Sequence, residues 1–196
     1  IARVNAANFM SVGPDSAGAE PGPVCYGKGG VEPTVTDASV VLGWIDPDFF
    51  LGGNMSLDRD APANAIQSYV GNKLGFDLHE AASAILSVAT ENMIHAIEDI
   101  TVNQGIDPRS AVLIGGGGAA GLNVTAIARR LGCERAIIPD IAAALSAAGA
   151  LMSDMRAEYS GTLYTQTAAF DTKRVNALLT RLEEQCCEFI AGPGAG

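Results

Sequence analysis

A run of glycines is the feature of this sequence whose residue types best suit chemistry. Gly115, Gly116, Gly117 and Gly118 follow the apolar stretch 111–114 and precede a helical pattern. Glycine lets a backbone approach a ligand closely, and the unpaired N–H groups at a helix start favour an anion. A phosphate or its adjoining sugar would fit. The spacing matches neither the dinucleotide fingerprint nor the Walker loop, so a ligand-free strand-to-helix turn is the alternative.

A second group of polar side chains consists of Thr34, Thr36 and Asp37, which follow a segment rich in glycine and proline. A carboxylate beside hydroxyl groups can orient Mg²⁺ or water, or act as a base. Asp37 is therefore the candidate catalytic residue. The alternative is that Asp37 is the N-cap of a helix running through 40–42.

The histidines and cysteines give no metal site. His79 and His95 lack zinc-type spacing, and exposed positions on a helix explain them better. Cys186 and Cys187 lie partly on the apolar stripe of the last helix, which predicts packing in place of redox or nucleophilic work. No Ser-His-Asp or Cys-His arrangement can be assembled.

Composition narrows the class of protein. The 196 residues are 48% hydrophobic, enough for a folded core, and the net charge of -10 offers no field for nucleic acid or anionic lipid. No apolar run approaches the roughly 20 residues that cross a bilayer, and the first residues do not resemble a signal peptide. We therefore expect a cytoplasmic protein with reduced cysteines and with neither nucleic acid nor membrane as a partner.

The pattern along the chain predicts alternating strands and helices. Apolar residues recur at helical spacing over 77–105, where Asp77 and Glu80 form a capping box and Gly105 a C-terminal cap. The other predicted elements are a helix at 61–74, strands at 111–114 and 135–138, helices at 122–131 and from 140 to about 154, and a helix after Asp171 that ends at 192–194. This order predicts an α/β fold with a partly parallel sheet.

Two long motifs are similar to a known family. The first comprises 16–30, 32–38 and 41–43, and includes the unusual run Gly-Pro-Val-Cys-Tyr-Gly-Lys-Gly-Gly. The second comprises 105–109 and 115–118, with 126–132 and 145–147 behind it. Together they resemble the hydantoinase A/oxoprolinase family over most of residues 1–155.

The resemblance implies a fold and a division of the chain. The family includes N-methylhydantoinase, 5-oxoprolinase and subunits of acetone and acetophenone carboxylases. Its fold is similar to the actin, sugar kinase and Hsp70 ATPases, which have two ribonuclease-H-like lobes around a nucleotide. Residues 1–155 would be a partial actin-like lobe containing an ordered glycine- and proline-rich region at 13–45. Residues 156–196 would begin a further region with a terminal helix.

The resemblance also implies site residues. Gly115–Gly118 and Ala119 would form the adenosine side of an ATP site, Asn92 and Asn123 would face the nucleotide cleft, and Asp37 would line it from the other side. Where the family more often has histidine, this chain has Asn123, whose amide cannot act as an acid or base. ATP and Mg²⁺ are the implied cofactors, and the loops for phosphate and metal would lie outside this chain.

The implied function is ATP-dependent hydrolysis of a cyclic amide, with phosphorylation of the ring amide before ring opening. The implied partner is a hydantoinase B-type subunit or domain. Two alternatives stay open, an ATP-dependent ketone carboxylase subunit and an actin-like module that binds nucleotide without chemistry. The start without methionine predicts a fragment of a longer polypeptide, which we expect to be inactive alone.

Overall fold

The computed structural model describes residues 1–192 and divides into two units, Ile1–Leu145 and the residues from Ser146 onward. Each unit has its own set of internal contacts. The boundary lies earlier than the division at 155 that the sequence suggests, and the sequence-based division stays a prediction.

A short hairpin opens the first unit. Strand β1 (Ala2–Val4) pairs antiparallel with β2 (Met10–Val12). Ala2 and Val4 are buried and Arg3 points to solvent, as the two-residue period of a strand requires. Arg3 forms ion pairs with Asp15 and with Glu32, whose Oε1 lies 2.7 Å from Arg3 Nε. These pairs hold the two ends of the glycine- and proline-rich segment against the hairpin.

That segment has little regular secondary structure, and its order stays a prediction. It contains a 3₁₀ turn at Val24–Tyr26, in which Val24 and Cys25 are buried, and it leads into helix α1 (Val35–Val41). The residues that follow α1 form turns without regular structure as far as Asp60.

The helix predicted at 61–74 is present in three parts. Helix α2 (Asp60–Ile66) continues through a π-helical turn at Gln67–Gly71 into α3 (Asn72–Leu74). The chain then turns at Gly75, whose φ of 74° ends the helix in the left-handed region.

Helix α4 (Leu78–Asn103) is the long helix that the sequence predicts. Its capping box is complete, since Glu80 N donates to Asp77 Oδ1 at 2.8 Å and Asp77 N donates to Glu80 Oε2 at 2.9 Å. Gly105 follows with a φ of 68°. The first half of α4 packs on the hairpin, α1 and α2, and the buried residues of this core include Ala2, Val4, Ala38, Ile66, Val70, Ala82 and Ile85.

A β-α-β unit follows α4 and confirms the α/β class. Strand β3 (Val112–Ile114), helix α5 (Ala120–Leu131) and strand β4 (Arg135–Ile137) occur in this order, and the two strands are parallel. Ile127 and Leu131 of α5 pack with Ile94 of α4 in a second buried cluster. This cluster fixes the β-α-β unit to the second half of α4.

The remaining helices are α6 (Leu145–Met152), preceded by a 3₁₀ turn at Ala142–Ala144, and α7 (Thr172–Ile190). Asp171 caps α7 as predicted, since its Oδ1 accepts a hydrogen bond from Arg174 N at 3.0 Å. The stop predicted at 192–194 lies partly outside the described residues. The prediction that Cys186 and Cys187 are packed is wrong, because both are exposed on a helix with no buried residue.

Candidate functional site

The glycine run forms the turn between β3 and α5, and two of its N–H groups are held by the surrounding backbone. Gly115 N donates to Ile137 O at 2.8 Å, and Gly117 N donates to Ala142 O at 2.7 Å. Gly117 has a φ of 107°, which residues other than glycine rarely adopt. A Cβ at Gly116 would lie 2.7 Å from Leu145 Cδ2. The backbone conformation therefore requires glycine at position 117, and a side chain at position 116 would require Leu145 to move.

The second half of the run is open. Added Cβ atoms at Gly117 and Gly118 would meet no atom within 4 Å. Ala119 is the N-cap of α5 and has no side chain that could cap the helix. In residues 1–192, the N–H groups of Gly118 and Ala119 have no backbone acceptor. Free N–H groups at a helix start can bind an anion or a polar ligand atom.

A cavity of about 530 Å³, which we call the loop cavity, lies along this turn. The whole glycine run and Ala119 line it, so the structure brings these predicted residues together. Met93 and Ile97 of α4 and Ile127 of α5 form apolar walls, and Asn123 adds a polar side chain. Apolar walls with a few polar groups are typical of small-molecule sites.

The two predicted asparagines meet in a neighbouring cavity of about 440 Å³, the asparagine cavity. Asn92 Nδ2 donates to Val12 O at 3.0 Å, which orients its side chain. Thr90 Oγ1 lies 3.4 Å from Asn123 Oδ1. Asn123 lines both cavities, whereas Asn92 lines only the asparagine cavity.

Asp37 has a different environment from the one that the sequence suggested. Thr34 is the N-cap of α1 and Asp37 is its partner three residues later in a capping box, so the N-cap assignment to Asp37 is wrong. The Asp37 carboxylate is fully buried and accepts hydrogen bonds from the N–H groups of Val24, Cys25 and Thr34 and from the Thr34 hydroxyl, at 2.7 to 3.2 Å. It also lines neither of these cavities, although Thr34 and Thr36 line the asparagine cavity.

These contacts make Asp37 a structural carboxylate that joins the 3₁₀ turn to α1. Four accepted hydrogen bonds occupy the lone pairs of an ionised carboxylate. Burial is the main cause that raises the pKa of the Cys25 thiol well above its usual range, and the negative charge of Asp37 is the second cause. Cys25 is therefore disfavoured as a nucleophile, since the thiolate is the reactive form. A catalytic role for Asp37 stays a prediction and enters no step proposed below.

Sequence reasoning missed a third cavity, the aromatic cavity, of about 530 Å³. Trp44, Phe49 and Phe50 line it together with Tyr26, and it extends to Gly118, Ala119 and Asn123. The signal was available, because Trp44 to Phe50 places three aromatic residues between Gly43 and Gly52 in a chain that is only 6% aromatic. Their position beside the glycine run depends on tertiary structure.

The two histidines are exposed on α4, as predicted. Among residues 1–192, no group of three or more His, Cys, Asp or Glu side chains is placed to hold a metal ion. Within the same residues, no helix has the length and apolar character needed to cross a bilayer.

Fold and site together define an α/β protein whose bare strand-to-helix turn opens into apolar cavities suited to a small ligand. Residues 1–159 match the sequence model of the family described as Hydantoinase/oxoprolinase. The chain belongs to this family.

Individual relatives agree with this assignment. The chain is 39% identical over 198 residues to caprolactamase subunit alpha of Pseudomonas jessenii, covering all of this chain and 28% of that subunit. The crystal structure of the ATP-dependent caprolactamase from Pseudomonas jessenii superposes with a TM-score of 0.74 at 37% identity, over 99% of this chain and 28% of the other.

A second solved structure is nucleotide-free acetone carboxylase, from work on ATP-dependent acetone carboxylation. It superposes with a TM-score of 0.76 at 28% identity and covers 97% of this chain and 28% of that chain. The chain thus spans less than a third of the length of these relatives.

Proposed function

We propose that this chain is part of an ATP-dependent hydrolase of cyclic amides and forms part of an actin-like ATPase lobe. The open glycine run above the loop cavity is the observation that carries the proposal, because it offers free N–H groups beside apolar walls. Membership of the hydantoinase/oxoprolinase family and similarity to a caprolactamase subunit support the cyclic amide as substrate.

The residues present fit the adenosine part of ATP. Added Cβ atoms at Gly117 and Gly118 would project into open space, which leaves room for a ligand against the backbone. Met93, Ile97 and Ile127 could contact the faces of a base, and the N–H groups of Gly118 and Ala119 could donate to ribose or phosphate oxygens. The asparagine cavity adds Asn92 and Asn123 at its edge. We assign no Mg²⁺ ligand to residues 1–192.

When bound, ATP would supply a phosphoryl group to the ring amide oxygen, which removes the amide resonance so that water can add to the ring carbon; the C–N bond then breaks, the nitrogen takes up a proton, and a second water hydrolyses the resulting acyl phosphate to a carboxylate and phosphate. The contribution of this chain is positioning. The glycine run would hold the nucleoside, and the apolar walls would exclude water from it. Asn123 can donate and accept hydrogen bonds but cannot transfer a proton as an acid or base. In-line transfer would depend on the longer protein and a hydantoinase B-type partner.

The proposal is tested with the full-length protein and the subunit that co-purifies with it. ATP consumption should rise when a cyclic amide such as caprolactam is supplied, and a ring-opened amino acid should accumulate in step with phosphate. ATP consumption that no cyclic amide stimulates would refute the hydrolase assignment.

A ketone carboxylase is the second candidate, favoured by the superposition on acetone carboxylase. It predicts ATP consumption that requires a ketone and bicarbonate, with a carboxylated product in place of an opened ring. A module without chemistry is the third candidate, and it predicts nucleotide binding without consumption in either assay. Product analysis by mass spectrometry separates the three.

A further inference from the structure

The segment 44–51, which we call the aromatic segment, contains three large apolar side chains that are more than half exposed. The exposed fractions of Trp44, Phe49 and Leu51 are 51%, 68% and 65%. Scattered exposed apolar residues are common, but several on one short segment indicate a binding site. All three line the aromatic cavity.

The aromatic segment is held in one conformation. The rings of Phe50 and Tyr26 pack at a centroid distance of 5.7 Å, and Phe50 packs on the buried cluster that contains Cys25. Leu51 has a φ of 53°, a region that such residues seldom enter and that is concentrated at functional sites. Leu57 N donates to Pro47 O at 2.9 Å and closes the segment from its far end. These contacts hold the backbone that carries Trp44 and Phe49.

The position of the cavity favours a small ligand that reacts beside the nucleotide. Gly118 and Ala119, at the open end of the glycine run, line the aromatic cavity as well as the loop cavity. Its volume of about 530 Å³ lies in the range of small-molecule sites. A ligand there would lie next to whatever the glycine run binds.

The polar groups of the cavity indicate the charge of that ligand. Asp46 is the charged residue of its lining, and Thr36 and Asn123 are neutral groups that can hydrogen-bond an amide. An anionic ligand would meet the Asp46 carboxylate, which is exposed, so that water weakens the repulsion between the like charges without abolishing it. A neutral ring would bury its carbon atoms on Trp44 and Phe49 without that repulsion.

We propose that the aromatic cavity is the ring-binding site, and that it selects neutral, apolar ring amides over rings that carry a carboxylate. This inference rests on the proposed function for the identity of the ligand as a ring amide. The cavity itself can be examined independently, because Trp44 lines it and comparison with Trp44→Phe isolates the fluorescence of this residue.

The kinetic experiment uses the full-length protein with its co-purifying subunit, and caprolactam and 5-oxoproline as the neutral and carboxylate-bearing rings. Phe49→Ala should raise the KM for caprolactam about tenfold and leave the KM for ATP unchanged, because an apolar wall is lost. Phe9→Ala is the matched control, since Phe9 is 72% exposed and does not line the cavity. Asp46→Asn keeps the side-chain oxygen that accepts from Asp48 N, and should lower the KM for 5-oxoproline severalfold.

Three results would overturn the inference. The first would be an unchanged KM for caprolactam in Phe49→Ala, and the second would be a rise in the KM for ATP instead. The third would be loss of the partner subunit from this variant, which would make the aromatic segment a protein interface. If no cyclic amide stimulates ATP consumption in the unaltered protein, the proposed function fails. A measurement of ligand binding then tests the aromatic cavity separately. Caprolactam should then still change tryptophan fluorescence in the unaltered protein but not in Trp44→Phe, with a weaker response to 5-oxoproline. An equal change in both proteins would reject the site.

Discussion

Gly118 lies at the open end of the glycine run, where an added Cβ would meet no atom within 4 Å and where φ is not in the left-handed region. Gly118→Val should therefore fold normally and place two methyl groups where the nucleotide is proposed to bind. We expect nucleotide affinity in the full-length protein to fall at least about tenfold, or roughly 1.4 kcal/mol. Calorimetric titration with ADP measures the change.

Two other glycines complete that experiment. Gly149→Val is the control, because a Cβ at Gly149 also meets no atom within 4 Å and this residue does not line the loop cavity. Gly117→Val would be less informative, since its φ of 107° adds backbone strain to any effect on binding. Equal affinity for Gly118→Val and the unaltered protein would remove the run from the nucleotide site.

Replacement of Asp37 distinguishes a structural role of its carboxylate from a catalytic role. Asp37→Ala would leave the N–H groups of Val24, Cys25 and Thr34 without their buried acceptor. We expect a loss of about 3 to 5 kcal/mol in the free energy of unfolding, measured by urea denaturation. Asp99→Ala, which changes an exposed carboxylate on α4, should alter stability by no more than about 0.5 kcal/mol.

The opposite outcome would also be informative. If Asp37→Ala is as stable as the unaltered protein but loses all turnover, the carboxylate acts in catalysis and the structural explanation is wrong.

At the scale of elements, helix α4 shows how much can be predicted from local sequence. Its start, its end and its buried face follow from Asp77 with Glu80, from Gly105 and from the apolar spacing, because each is a property of neighbouring residues. The parallel pair β3 and β4 followed in the same way from alternating patterns.

Irregular turns that depend on particular side-chain contacts or on long-range contacts were not predicted. The π-helical turn at Gln67–Gly71 accompanies hydrogen bonds from Gln67 Nε2 to Asn72 Oδ1 at 3.0 Å and to Phe76 O at 3.2 Å. The 3₁₀ turn at Ala142–Ala144 presents Ala142 O to Gly117 N. No spacing of residue types in the sequence encodes such contacts, and the aromatic cavity was missed for the same reason.

The capping box of α4 gives a prediction at this scale. Asp77→Ala removes the acceptor for Glu80 N and should lower the free energy of unfolding by about 1 kcal/mol. Thermal unfolding followed by circular dichroism measures the loss, and Asp77→Asn, which keeps an acceptor oxygen, should recover most of it. A larger loss in Asp77→Asn than in Asp77→Ala would contradict the capping explanation.

At the scale of the molecule, the β-α-β unit leaves apolar surface uncovered. Val112, Ile114, Ile137 and Ile138 are each between 38% and 59% exposed. Strands of parallel sheets are usually covered on both faces. Since the chain spans 28% of caprolactamase subunit alpha, we propose that other parts of a longer protein cover these residues.

The isolated 196-residue chain should therefore bind ATP weakly. Only the adenosine side of the proposed site lies within it, and binding must offset the loss of translational and rotational freedom without the phosphate contacts. We expect a Kd weaker than about 100 μM by isothermal titration calorimetry, and tighter binding in the full-length protein. A sub-micromolar Kd for this chain alone would show that its site is complete.

Asn123 borders all three cavities. Its amide has one oxygen and two N–H groups, and turning it to suit one neighbour withdraws the same atoms from another. Ligands bound in two of these cavities would compete for, or share, the hydrogen-bonding atoms of this one side chain. Binding of one ligand would therefore change the affinity of the protein for the other, and thermodynamic linkage requires the two effects to be equal.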